Sequence, residues 1–298
     1  MVTAMSTNLQ WKAPFTTSCL HAADGICRGL TVVDPVLADV IGRPAAELKG
    51  AIESMGAPPG RLWRQLLGLS GSSEVSRHIA ETALAKTVGR GQLFEAQAGH
   101  LTAALSRLQA LVRAAIPNLT EELALRERPL REQWEARGPG LLVNIENLTE
   151  PELLAEQADV LLVRPAFGGA GAAHLQSNAV RIEAVLANPH AELPEVVRLA
   201  WLVAQLDLDL PRHSEEIQAD RLPHVARLAM IPIVLKAAEA VELVRYSPEL
   251  VGQAMAAWHL AVPPGLDAVG VIGDWWETYQ LDKTPFQVAL AALDAMVG

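Results

Sequence analysis

Apolar positions along this chain recur mostly three or four residues apart, the spacing that lines one face of an α-helix. Leu101, Leu105, Leu108 and Val112 show it within a stretch from 92 to 115, and Val197, Trp201, Ala204 and Leu208 repeat it after Pro194. Helix starts are marked by a capping side chain followed by proline, whose missing N–H is harmless in the first turn. Asp34-Pro35, Ser247-Pro248 and Thr284-Pro285 carry that signature. Further helices are expected over 44–55, 61–69, 73–88 and 120–136, and after Ser214 and Pro223. The 120–136 helix is expected to stop at the turn Arg137-Gly138-Pro139-Gly140. Pro232 falls inside an apolar helical stretch, where its absent donor predicts a kink or break.

The pattern changes between 138 and 190. Residues 141–145 and 159–163 are short apolar runs of β-prone composition, and Thr149 with Glu152 forms a capping box ahead of a short helix. Residues 179–186 alternate apolar and polar at period two, so Arg181 and Glu183 face one side of a strand and Val180 and Ile182 the other. A helical period through Leu175, Ile182 and Leu186 fits the same residues. The reading is a mainly α, multi-helix globular protein with a small central α+β insertion. More than half the residues are expected in helix, strands are confined to 138–189, and Trp201 is nearly buried. The chain divides into an extended or partly ordered arm (1–30), a helical region (31–137), a small sheet element (138–190) and a C-terminal helical region (191–298). The last packs with 31–190 as one unit.

Charge narrows the partners. There are 34 acidic and 24 basic residues, a net charge of −10, whereas a nucleic-acid binder needs a cationic stripe to neutralise phosphates. Arg126, Arg128, Arg131 and Arg137 come closest to one, but Glu127, Glu132 and Glu135 alternate with them. The most apolar stretch, 225–244, carries Arg227, Lys236, Glu239 and Glu242, which argues against a membrane span. The first residues lack the basic-then-apolar order of a secretory signal. Cys19 and Cys27 do not have zinc-ligand spacing and read as two free thiols in a reducing compartment. A soluble cytoplasmic protein is expected. Half the residues are apolar and only 19% charged, enough for a large core and for an apolar patch offered to a partner.

Candidate chemistry gathers in the central insertion. Gly168, Gly169 and Gly171 lie in one loop that lets a backbone approach a ligand closely. The loop is no dinucleotide fingerprint, because His174 stands at the third glycine position, and no Gly-Lys-Ser/Thr follows for phosphates. A hairpin or crossover loop explains it. His174, Arg181 and Glu183 are the catalytic candidates, with His174 as general acid or base. Gly168, Gly169, Gly171, Asn178 and Arg137 are candidate ligand contacts. His213, Glu216, Asp220 and His224 would share a face on one continuous helix, but Pro223 interrupts it. No metal site and no cofactor is assigned, and no serine nucleophile elbow is present. Two functions remain. The first is a helical interaction or assembly protein acting through a protein partner or self-association. The second is an enzyme or small-molecule binder with its pocket at 168–183 and the Arg137 turn.

Overall fold

The computed structural model describes residues 7–263 and 265–298, in which twelve α-helices surround a four-stranded sheet of order β1-β2-β4-β3. Helix accounts for 63% of the described residues, above the half that the periodicity predicts. The strands are β1 (Asn8–Lys12), β2 (Gln157–Val163), β3 (Gly171–His174) and β4 (Ala179–Glu183). β1 and β4 flank β2 in parallel, and β3 closes the sheet antiparallel to β4, with Ala172 opposite Arg181. Residues opposite one another share a face, so His174, Arg181 and Glu183 project together, away from Gly171 and Ile182.

Two helices cover the faces of this sheet. α1 (Phe15–Cys27) lies on the side of Arg181 and Glu183, and every residue from Phe15 to Gly25 is buried. On the other side α7 (Glu195–Val203) packs Leu202 against Gly171, so closely that a Cβ there would stand 2.9 Å from the leucine. Around this centre α2 (Pro35–Glu53) and α5 (Phe94–Ala115) pack together, and α6 (Leu119–Leu148) and α9 (Leu222–Ala240) brace α7. Buried apolar residues from Phe15 to Val297 form one continuous core. No described helix is long and apolar enough to cross a membrane.

Several local expectations need correction. The supposed arm at 1–30 holds β1 and α1, so a strand lies outside 138–189; its first six residues, like Pro264 of the Pro263 loop, lie outside the described residues. The 141–145 run is not extended, because α6 continues to Leu148 and buries Leu141, Leu142 and Ile145 along one helical face. Tertiary burial overrides strand propensity there. The Arg137 turn does not exist either. Gly138 serves clearance rather than termination, since a Cβ would come within 2.6 Å of the Trp134 indole. Thr149 is the C-cap of α6 instead of the N-cap of a new helix. α2 runs through Pro44 and α9 through Pro232 without a break. Residues 179–183 are strand.

Trp201 is 1% exposed, donates its indole N–H to the Arg227 carbonyl at 2.9 Å and stacks on Trp258 with ring centroids 4.7 Å apart. Trp201→Ala removes this packing from a site walled by helices that cannot collapse into it. A loss of roughly 3–5 kcal/mol is expected in a denaturant titration. A loss below about 1 kcal/mol would show that α7 does not anchor the core.

Candidate functional site

Glu183, at the end of β4, has no exposed surface, and the glycine loop folds around its carboxylate. Backbone N–H groups of Ala166 and Phe167 donate to Oε1, both at 2.7 Å. Those of Gly169 and Ala170 donate to Oε2 at 2.7 and 3.1 Å. Turning four N–H groups inward requires φ of +79° at Gly168 and +141° at Gly169, conformations that favour glycine. The loop does receive a carboxylate at close range, and it is the protein's own.

A fifth donor comes from α1. His21 Nε2 lies 2.9 Å from Glu183 Oε1, and the ring meets Phe167 edge-on with centroids 5.3 Å apart. Phe167 in turn lies over Gly25, where any Cβ would enter the aromatic ring. Burial, and next the Arg181 charge, lower the His21 pKa, against the bond and charge of Glu183, which raise it. Burial alone would raise the Glu183 pKa. The bond from His21 and those from the loop reverse the sign and hold it at about 2. Arg198 on α7 ties the far side, donating to the Ala170 carbonyl at 3.2 Å, to the Glu183 carbonyl at 2.9 Å and to the carboxylate of Glu195.

The carboxylate is therefore fully engaged and does not pair with Arg181, two residues away on the same face. Arg181 is 2% exposed and among the described residues pairs with Asp24 of α1 alone, at 3.5 Å; its Nε and Nη1 have no partner among those residues. Asp24 is shared with Arg28 at 3.1 Å. Arg227 reaches the same region from α9, and its guanidinium makes no hydrogen bond or ion pair among the described residues. Burial, together with the neighbouring charges, pushes both Arg181 and Arg227 down to about 10. His174 Nε2 is sealed and has no partner among the described residues, and burial with the charges of Arg181 and Arg227 brings that ring down to about 3. Arg28 and Arg227 line a narrow cleft of about 10 Å³ beside Gly171, Trp258 and His259, room for about one water.

Of the residues nominated from sequence, His174, Arg181, Glu183, Gly168, Gly169 and Gly171 come together here. Asn178 and Arg137 do not. Asn178 is an exposed turn residue at φ +47°, and Arg137 sits on the solvent side of α6. His213 and His224 fall on separate helices, α8 (Pro211–Ser214) and α9, which disperses the 213–224 array. Sequence reasoning missed His21, Asp24, Arg28 and Arg227. A wider, open cleft of about 880 Å³ lies elsewhere, between Glu192, Arg245 and Glu249. Of the carboxylates around it, Glu239 is bonded to Lys236 and the Tyr246 N–H. The cation cluster is the better candidate because Arg181 within it is buried with two nitrogens that no described residue answers.

Glu183 has a folded pKa depressed from 4.5 to about 2, so its contribution is complete above about pH 4.5 and is lost as pH falls toward 2. Glu183→Gln turns an amide NH2 toward N–H donors and is expected to cost roughly 3–5 kcal/mol at pH 7. It should also flatten the acid dependence of stability between pH 4.5 and 2, measured by denaturant titration at each pH. A variant as stable as wild type, with the same acid limb, would contradict the cradle. No protein-family model, curated protein or solved structure matches this chain, so the reading of the site rests on its geometry.

Proposed function

We propose that the protein binds a small anionic ligand at the edge of β3, between Arg181, Arg227 and Arg28. The observation that carries this reading is Arg181, a buried guanidinium with two nitrogen atoms lacking an acceptor among the described residues. A buried cation left without acceptors costs several kcal/mol, and an anionic group repays it. Arg227 is partly exposed, makes no side-chain bond among the described residues, and lines the neighbouring cleft with Arg28. Glu183 has a positioning role in this scheme: it shapes the loop that becomes β3. His174 supplies a neutral imidazole nitrogen.

Association with a protein partner or with a second copy has weaker support. The most exposed apolar side chains, Leu281, Leu125, Leu93 and Leu186, come from four different stretches of the chain. A reducing cytoplasmic setting belongs to the reading, since Cys19 is a buried free thiol with its pKa raised by burial and Cys27 is also unpaired.

The test is a thermal-shift panel of phosphate, sulfate, citrate and simple carboxylates at constant ionic strength, on wild type and on Arg227→Met. At a hundredfold excess over Kd a bound anion stabilises by about 2.7 kcal/mol, a rise in Tm of roughly 5 °C for a chain of this size. Wild type should rise with at least one anion and Arg227→Met should not. Equal responses in both proteins, or none in either, would refute anion binding at this site.

A further inference from the structure

We propose that the open cleft at the C-terminal end of α9 is a docking site for a basic, extended segment of a partner protein, one that carries apolar side chains among its positive charges. This site is separate from the anion site and does not depend on it.

The cleft has a volume of about 880 Å³, a size typical of binding sites. Its walls are fixed by the way α9 ends. Glu242 takes a φ of +59° and the Leu243 N–H returns to the Ala238 carbonyl at 2.9 Å, so the chain turns off the helix. Glu239 holds the turned segment in place. It accepts the Tyr246 N–H at 2.9 Å and bonds Lys236 at 2.9 Å, while the Lys236 ammonium lies 4.3 Å from the centre of the Tyr246 ring. Ser247 then caps α10 (Pro248–Ala257) by accepting the Leu250 N–H. Glu192, from the loop ahead of α7, also lines the cleft.

The lining combines apolar surface with charge. Leu243, Val244 and Tyr246 pack against the core yet stay partly exposed where they line the cleft. A ligand that covers them gains from their burial. The charges select its sign. Glu192, Glu239, Glu242 and Glu249 bring four negative charges; Arg245 in the lining and Lys236 beside it bring two positive ones, which leaves two negative. Glu277, close enough to act on the Tyr246 hydroxyl, adds to the same sign. The helix dipoles oppose one another, since α9 ends here and α10 begins here. Glu239 is engaged by Lys236, whereas Glu192, Glu242 and Glu249 make no ion pair among the described residues.

The placement of the carboxylates selects the kind of cation. Among the described residues no three acidic or other ligating side chains come together as a metal ion requires. Glu192, Glu242 and Glu249 belong instead to the loop ahead of α7, the turn after α9 and the first turn of α10. Charges divided among three segments suit several cations spaced along a chain. A basic peptide supplies them, and its intervening apolar side chains cover Leu243, Val244 and Tyr246. Such a partner needs a groove and no broad apolar patch. The net charge of −10 steers it toward the protein.

Fluorescence anisotropy with a labelled, end-blocked peptide KLRKLR tests the proposal, with unlabelled KLRKLR, KSRKSR and spermine as competitors of equal charge. The peptide should bind, and unlabelled KLRKLR should compete roughly fivefold better than KSRKSR or spermine, because only it covers apolar surface. Glu242→Gln/Glu249→Gln, at exposed positions, should weaken binding roughly fivefold. Glu215→Gln/Glu216→Gln, exposed ahead of the other end of α9, changes the net charge equally and should leave binding within about twofold. Equal losses in the two double variants would show general attraction to an acidic surface. Equal competition by KSRKSR or spermine would show that the apolar lining takes no part. Either result, or absence of binding, would overturn the proposal and leave the anion site untouched.

Discussion

Transferring an ionised carboxylate from water into a protein interior costs several kcal/mol unless donors meet it, and Glu183 is met by five. Much of the central architecture follows from that requirement. Four of the donors are backbone N–H groups, so residues 166–170 must wrap the carboxylate, and glycine must occupy 168 and 169. The wrap delivers the chain into β3 at the sheet edge. The fifth donor, His21, docks α1 on the sheet and brings Asp24 and Arg28 with it, one turn and two turns further along the helix. Arg164 fastens the start of the loop by bonding Asp34 and Glu122, both at 2.6 Å. Asp34 simultaneously caps α2, which links the loop to the helical shell.

The same satisfaction creates the imbalance next door. Arg181 and Glu183 stand two residues apart on one face, an arrangement that ordinarily makes an ion pair. Because the cradle has taken every acceptor position of Glu183, Arg181 is left with a long contact to Asp24, and Arg227 is left with none on the described residues. A chain with net charge −10 thus concentrates unanswered positive charge at one interior point. Local charge of sign opposite to the whole attracts an anion to that point in particular, since the rest of the surface repels it. The structural role of Glu183 and the ligand-binding role of Arg181 are therefore two results of one hydrogen-bond assignment.

How much of this was legible in the sequence differs from element to element. The caps at Asp34 and Ser247 and the stripe through Trp201 are local signals, and they marked the starts of α2, the 248–257 helix and α7, although α7 ends at Val203 and leaves Ala204 and Leu208 of that stripe beyond it. The alternation in β4 put Arg181 and Glu183 on one face, but alternation cannot say whether that face meets water. It meets α1. That helix escaped notice because it is buried all round, and such a helix shows no amphipathic period. Its one readable trace was the spacing of His21, Asp24 and Arg28 with Gly25 between them, polar residues aligned on one helical face. The decisive partnership, His21 with Glu183, spans 162 positions and leaves no local pattern at all. Gly138 misled for a related reason: glycine before proline signals a stop, while its role here is to make room for Trp134.

Selenate, a dianion the size of sulfate whose selenium scatters anomalously, offers the most direct test of the claim that the buried, underpaired Arg181 and its neighbour Arg227 form a binding site. Crystals of the protein soaked in selenate should show their strongest anomalous peak within hydrogen-bond distance of Arg181 and Arg227, with Arg28 turned onto the ion and the Glu183 cradle unchanged. A strongest peak elsewhere on the surface, with Arg181 bonded only to protein or water, would contradict the account.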